Sequence, residues 1–147
     1  MARSLVCQRL SAHKERVTDA RTSPDATIIE GLARAAVDRL PDLFRQHLRN
    51  VMVRVEEFAD DETLDALGIE DPWELSGLYH GRPMSEQTIW ASGELPPVIT
   101  LYRRPLLDEW IETGATLDDL VTHVLVHEVG HHFGLSDEQM AAIEAEL

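Results

Sequence analysis

The most informative stretch of this 147-residue sequence is residues 127–137, HEVGHHFGLSD. It begins with His127 and places His131 four positions later. Residues four apart on an α-helix lie nearly above one another, so both imidazoles face one point beside the helix. Two imidazoles in this arrangement provide the first two ligands of a tetrahedral zinc site. We therefore predict that this segment is helical and binds a metal ion.

The other polar residues of the stretch complete a catalytic type of site. Glu128 lies about 100° around the helix from His127, which suits a general base acting on water better than a third ligand. Gly134 is expected to end the helix with positive φ, and Asp137 then returns to the metal three residues later. Three protein ligands leave the fourth position open, as in catalytic zinc sites. The predicted site is Zn²⁺ bound by His127, His131 and Asp137, with Glu128 as base.

Two further histidines adjoin this motif. His123 precedes His127 by one helical turn on the same face. A hydrogen-bonded core histidine is the preferred interpretation, and a supporting group or an alternative ligand remains open. His132 is expected to point away from the metal and to be packed or exposed. A histidine-rich helix end, favoured by the helix dipole, is the alternative for the whole motif, but it leaves the Glu, Gly and Asp spacings unexplained.

The surrounding sequence predicts an α+β domain from its hydrophobic periods and its turn residues. Three β-branched residues at period two predict a strand over 51–55, and a second strand is predicted over 98–102. Residues 75–79 suit a strand or an open loop. The first helix is predicted to open with Ser23 as cap and Pro24 in first position, and its apolar residues recur over 28–40. Further helices are predicted through 43–48, over 60–67, from Pro105 to about 113, over 117–133, and from Ser136 or Asp137 to Leu147.

Composition limits the classes of protein to which the chain can belong. Its length and its 44% hydrophobic content suit one domain with a real core. The net charge of −14 indicates a solvated acidic surface or an attraction for cations and basic peptides, and it disfavours nucleic acid as a partner. Cys7 is the only cysteine, and no signal peptide or membrane span is evident. We therefore expect a cytoplasmic protein without membrane partners.

The motif and its surroundings resemble a known family. Residues 127–137 match the extended zincin pattern HExxHxxGxxD. Three segments, one of which overlaps this motif, look similar to the minimal zincin-like metallopeptidases, a family of small bacterial proteins once catalogued as a domain of unknown function. Those segments are 78–81 (LYHG), 99–106 (ITLYRRPL) and 124–134 (VLVHEVGHHFG). The resemblance covers roughly residues 27–146. Residues 1–24 are expected to form a mobile extension or a loosely docked helix, and 25–147 the zincin-like domain.

The resemblance implies a zincin-like α+β fold, in which a small mixed β-sheet packs against helices, one of them the active-site helix. It also implies a single zinc on His127, His131 and Asp137, with Glu128 as base. In zincins an edge strand of the sheet binds extended substrate, and 75–79 or 98–102 are the candidates.

Two departures from larger zincins bear on function. Only ten residues follow Asp137, so we expect no counterpart of the methionine turn of metzincins; Met140 falls in a predicted helix and is interpreted as core. The chain is also too short for a substrate-cleft subdomain, so either the cleft is shallow or a second subunit of a homodimer completes it. The leading hypothesis is a zinc metallopeptidase acting on a peptide or protein. The alternatives are a metal-binding or interaction module with little turnover, and a zinc hydrolase of non-peptide amides.

Overall fold

The computed structural model describes residues 23–48, 51–81 and 96–147. The predicted extension, residues 1–24, lies outside these ranges apart from its last two residues. Within the described ranges the order of elements is α1 (Ala26–Arg39), α2 (Asp42–His47), β1 (Met52–Glu56), α3 (Asp61–Leu67), a 3₁₀ turn (Pro72–Glu74), β2 (Gly77–His80), β3 (Val98–Tyr102), α4 (Arg103–Thr113), α5 (Leu117–Phe133) and α6 (Asp137–Ala145). The fold is α+β, as predicted.

The three strands form one mixed sheet in the order β1-β3-β2. β1 runs parallel to β3, with Met52 opposite Val98, whereas β2 runs antiparallel to β3, with Gly77 opposite Leu101. The small mixed sheet predicted for this chain is therefore confirmed. β3 is the central strand, so the suggestion that 98–102 serves as a substrate-binding edge is wrong: both of its sides are already hydrogen-bonded. β2 lies at an edge of the sheet formed by the described residues.

Helix α1 begins at Ala26, two residues after the predicted first position, Pro24. Asp25 is the N-cap, and its Oδ1 accepts a hydrogen bond of 2.9 Å from the backbone N–H of Ile28. Ser23 hydrogen-bonds to Arg103 instead, at 2.8 Å. Both residue types favour N-caps, and the contact between Ser23 and α4 decides between them.

Helix α4 begins at Arg103, two residues before the predicted start at Pro105. Arg103 and Arg104 both reach the carboxylate of Glu57, just after β1, at 3.0 and 2.8 Å. These guanidinium groups lower the pKa of Glu57 despite some desolvation. The paired arginines thus join the end of β1 to the start of α4, and the helix starts where these contacts form.

Helix α5 lies at the centre of the fold. It contacts α1, α4 and α6 as well as β2 and β3. More than half of its residues are buried, and they include Glu128 and His132 beside the expected apolar side chains. The main core joins this helix to buried residues of α1, β3 and α4 and to Met140 of α6. The rigid helix that carries the motif is therefore held from several sides.

Among the described helices, none combines the length and the hydrophobicity that crossing a lipid bilayer requires.

Candidate metal centre

Local sequence signals set both ends of the motif helix. The hydroxyl of Thr116 caps α5 by accepting from the backbone N–H of Asp119 at 3.1 Å. Gly134 ends the helix with φ of 67°, a conformation that favours glycine, as predicted. Ser136 then caps α6, and its capping box with Gln139 makes Asp137 the first residue of that helix. The motif therefore spans the end of one helix, a short turn and the start of the next.

Glu128 is the most deeply placed acidic side chain of the motif. The residue is 8% exposed, and its carboxylate accepts a hydrogen bond from the backbone N–H of Tyr79 in β2. Its Oε2 is buried without a hydrogen-bond partner among the described residues. The Nδ1 of His131 lies 3.5 Å from that oxygen, close enough for electrostatic attraction. A buried acceptor without a partner next to a motif histidine fits a group that receives a proton at the metal site.

The close approach of β2 to α5 makes this arrangement possible. A Cβ at Gly77 would lie 2.6 Å from Cγ1 of Val124 and 3.5 Å from Cγ of Glu128. Such a contact is too short for packed carbon atoms, so the absence of a side chain at Gly77 brings the strand close to the helix. The backbone N–H of Tyr79, two residues on, can then reach Glu128.

Burial controls the protonation of Glu128. Desolvation raises the pKa of its carboxyl above the ordinary 4.5, and the attraction of His131 and the hydrogen bond from Tyr79 offset only part of that rise. A carboxyl with a raised pKa is a stronger base than an exposed glutamate, which is the property a general base needs near neutral pH.

We expect Glu128→Gln to raise the free energy of unfolding of the metal-free protein at pH 7 by on the order of 1 kcal/mol, because it removes a buried charge with an unpaired oxygen. The folded state holds the Glu128 proton to higher pH than the unfolded state, so wild-type stability falls as pH rises from 4.5 through the raised pKa. The gain should therefore vanish below pH 4.5. Urea unfolding across this range measures it, with Glu138→Gln, an exposed change, as control. An equal gain at pH 4 and pH 7 would contradict the assignment.

The other predicted ligands are only partly drawn together. His127 is half-buried, while His131 and Asp137 are exposed. Among the described residues, one group of at least three potential metal donors has its donor atoms within 4.8 Å of one another. It consists of His123, His127 and Glu144. His131 faces Glu128 instead. The set of His127, His131 and Asp137 therefore stays a prediction.

Of the two neighbouring histidines, His123 differs from its expected environment and His132 does not. His123 is 48% exposed at its side chain, so its interpretation as a core residue is wrong, although it has the expected partner: its Nδ1 lies 2.8 Å from Oε2 of Glu144. His132 is 2% exposed and is therefore packed, one of the two expected outcomes. Its Nδ1 lies 2.8 Å from the hydroxyl of Tyr79. β2 thus contacts the motif helix twice, through the backbone and the ring of Tyr79.

Sequence reasoning missed two features of the site. Glu144 was not singled out, although it stands seven positions after Asp137 and so recurs on the same side of α6. The backbone N–H of Tyr79 had no signal in the sequence, because any residue except proline supplies one. Met140 is buried in the main core, as predicted.

The donors near His127 and Glu128 suit a divalent ion of the zinc type. Imidazole nitrogens and carboxylate oxygens are the ligand types of catalytic zinc sites, and a buried carboxylate beside them supplies the base. No curated protein matches this sequence. The family described as zincin-like metallopeptidase matches residues 48–147, more than half of the chain, and this range includes every element from β1 to α6. The protein belongs to the zincin-like metallopeptidase family.

Proposed function

We propose that the protein is a zinc-dependent metallopeptidase that hydrolyses a bond in a peptide or protein substrate. The observation that carries the proposal is the buried carboxylate of Glu128, which has an unpartnered oxygen 3.5 Å from His131 within the family motif. His127, His131 and Asp137 would hold the metal. Zinc in such a site supplies Lewis-acid polarisation of a carbonyl and lowers the pKa of a water molecule.

The protein's own residues then carry the proton. Glu128 accepts a proton from the attacking water at its unpartnered Oε2 and returns it to the nitrogen of the leaving amine. The hydrogen bond from the Tyr79 N–H fixes the carboxylate during both transfers. His131, beside the same oxygen, stabilises the ionised carboxylate before the proton arrives. The edge of β2 beside α5 is the surface on which an extended substrate can add a strand.

One observation favours a second candidate, a metal-binding or interaction module with little turnover. The donor group within 4.8 Å that includes His127 is completed by His123 and Glu144, not by His131 and Asp137. A metal held by that group lies on the α6 side of the helix, whereas Glu128 is hydrogen-bonded to β2. Homodimer formation and the choice of substrate remain predictions, and the peptide library below addresses the substrate.

The test combines metal analysis with cleavage of a peptide library by the full chain. Asp137→Ala is expected to weaken zinc binding by at least about tenfold and to abolish cleavage, because it removes the carboxylate of the proposed ligand set. Glu138→Ala, at the adjacent exposed acid, is the matched control and should leave both unchanged. Chelation should stop cleavage and zinc should restore it. Stoichiometric zinc without cleavage of any library would instead support the binding module.

A further inference from the structure

Helices α5 and α6 carry a second group of metal-type donors next to the proposed catalytic set. His123, His127 and Glu144 each offer one donor atom, and these atoms all lie within 4.8 Å of one another. Bonds from zinc to nitrogen or oxygen are about 2.0–2.2 Å long, which places tetrahedral donors about 3.3 Å apart. Small side-chain rotations would therefore close the group around one ion. Two imidazoles and one carboxylate also form an open zinc site, with room for a fourth ligand.

The arrangement follows from a repeat along both helices. α5 places His123, His127 and His131 at intervals of four residues, so the three imidazoles form one row. α6 runs antiparallel beside them, since Glu144 contacts His123. Glu144 follows Asp137 by seven residues, nearly two turns, so the two carboxylates are about 20° apart on one face. Glu144 thus lies beside His123 and His127, and the helical spacing predicts Asp137 as the carboxylate for His127 and His131.

The second group is accessible to an ion from solvent. The side chains of His123 and Glu144 are 48% and 31% exposed, and they already lie within hydrogen-bond distance of each other. The rings of His123 and His127 are 4.5 Å apart between centroids. The net charge of −14 favours the local accumulation of cations. No movement of the backbone is needed to expose these donors.

The two groups share His127, and that sharing makes them competitors. A neutral imidazole has one nitrogen with a lone pair and one that carries the proton. His127 can therefore serve one ion at a time unless it loses that proton. An ion bound with His123 and Glu144 takes His127 from His131 and Asp137. Such an ion would lie about one helical turn, or about 5.4 Å, closer to the N-terminus of α5 than an ion bound by the catalytic set.

We propose that His123, His127 and Glu144 form an alternative zinc-type position that competes with the catalytic set for His127 and holds the ion in a resting location. The competition rests on the proposed function, whereas binding at the alternative position does not. The arrangement gives the protein two metal-bound forms, of which only one places the ion beside Glu128.

Zinc titration of the metal-free full chain tests the binding. His131→Ala disables the catalytic set, and we expect this variant still to bind one zinc per chain. Adding Glu144→Gln to it should weaken the remaining affinity by at least about tenfold, because a ligand is lost. Adding Glu146→Gln, an exposed acid two residues after Glu144, is the matched control and should change nothing. All three substituted side chains are partly or fully exposed, and circular dichroism verifies that the variants fold.

Two results would overturn the proposal. One is a His131→Ala protein that binds no zinc while wild type does. The other is a residual zinc affinity that Glu144→Gln leaves unchanged, which would reduce His123 and Glu144 to a simple ion pair. Titration with Co²⁺, whose visible absorption reports its ligands, gives an independent readout: the spectrum of His131→Ala should change on adding His123→Ala.

The competition is tested separately from the catalytic assignment. In an otherwise wild-type chain, Glu144→Gln is expected to raise turnover per bound zinc, since it removes the resting position. Unchanged turnover per zinc would overturn the competition. If His131→Ala and Asp137→Ala leave zinc affinity unchanged while Glu144→Gln lowers it, the proposed catalytic set fails and the alternative position stands. If only His131→Ala and Asp137→Ala lower it, the reverse holds.

Discussion

Glu128→Gln is expected to lower kcat/KM for peptide cleavage by about 10²–10⁴-fold, the contribution typical of a positioned general base. The glutamine side chain has nearly the same shape and can still accept the hydrogen bond from the Tyr79 N–H. It cannot accept a proton from water at neutral pH. Because the proposed ligands are His127, His131 and Asp137, the variant should still bind one zinc per chain. Initial rates on a cleaved library peptide, together with the zinc content of the same sample, measure the two effects.

Two variants sharpen this test. Glu138→Gln makes the same chemical change at an exposed position of α6 and should retain wild-type activity. Glu128→Asp keeps a proton acceptor but withdraws it by one methylene, so activity should fall and remain measurable. Full activity in Glu128→Gln, with zinc bound, would remove Glu128 from the reaction. Loss of both zinc and activity would make it a ligand instead.

The sequence predicted the motif helix well because its determinants are local. The cap at Thr116, the apolar period and the stop at Gly134 all lie within or next to the helix, and the structure gives Leu117–Phe133. The N-terminus of α1 was missed because two residues suited to capping, Ser23 and Asp25, stand close together. A contact with Arg103, 80 positions away, occupies Ser23. Local propensity cannot choose between caps when a distant residue decides.

The candidate site likewise combines features that local sequence predicts with features that depend on distant contacts. The row of histidines on α5 and the position of Glu128 follow from helical spacing alone. The pairing of His123 with Glu144 depends on how α6 packs against α5, and the burial of Glu128 depends on the approach of β2 at Gly77. Both are long-range results of packing. The edge role considered for 98–102 was wrong for a similar reason, because strand order in a sheet is set by contacts distant in sequence.

The packing of α6 against α5 predicts a large loss of stability when a side chain is added at Gly130. Gly130→Ala should lower the free energy of unfolding by about 1–3 kcal/mol, the usual range for an overpacked core. Alanine is the better helix former by about 1 kcal/mol, so propensity alone predicts the opposite sign. A Cβ at Gly130, however, would lie 2.6 Å from Cγ of Met140 and closer still to its Sδ. Met140 is 2% exposed, so its side chain has little room to move away.

The size of Met140 allows the cause to be isolated. In a Met140→Ala background the clash is absent, so Gly130→Ala should there become neutral or stabilising, and urea unfolding of the four proteins should give a coupling energy of at least about 1 kcal/mol. Gly31→Ala is the matched control: Gly31 lies within α1 with nothing within 4 Å of the added atom, and alanine should stabilise by about 0.5–1 kcal/mol. Since Glu144 contacts His123 from α6 and Asp137 of the same helix is a proposed ligand, displacing that helix should also weaken zinc binding. A Gly130→Ala protein as stable as Gly31→Ala, with unchanged zinc affinity, would show that the helix contact does not set the geometry of the metal site.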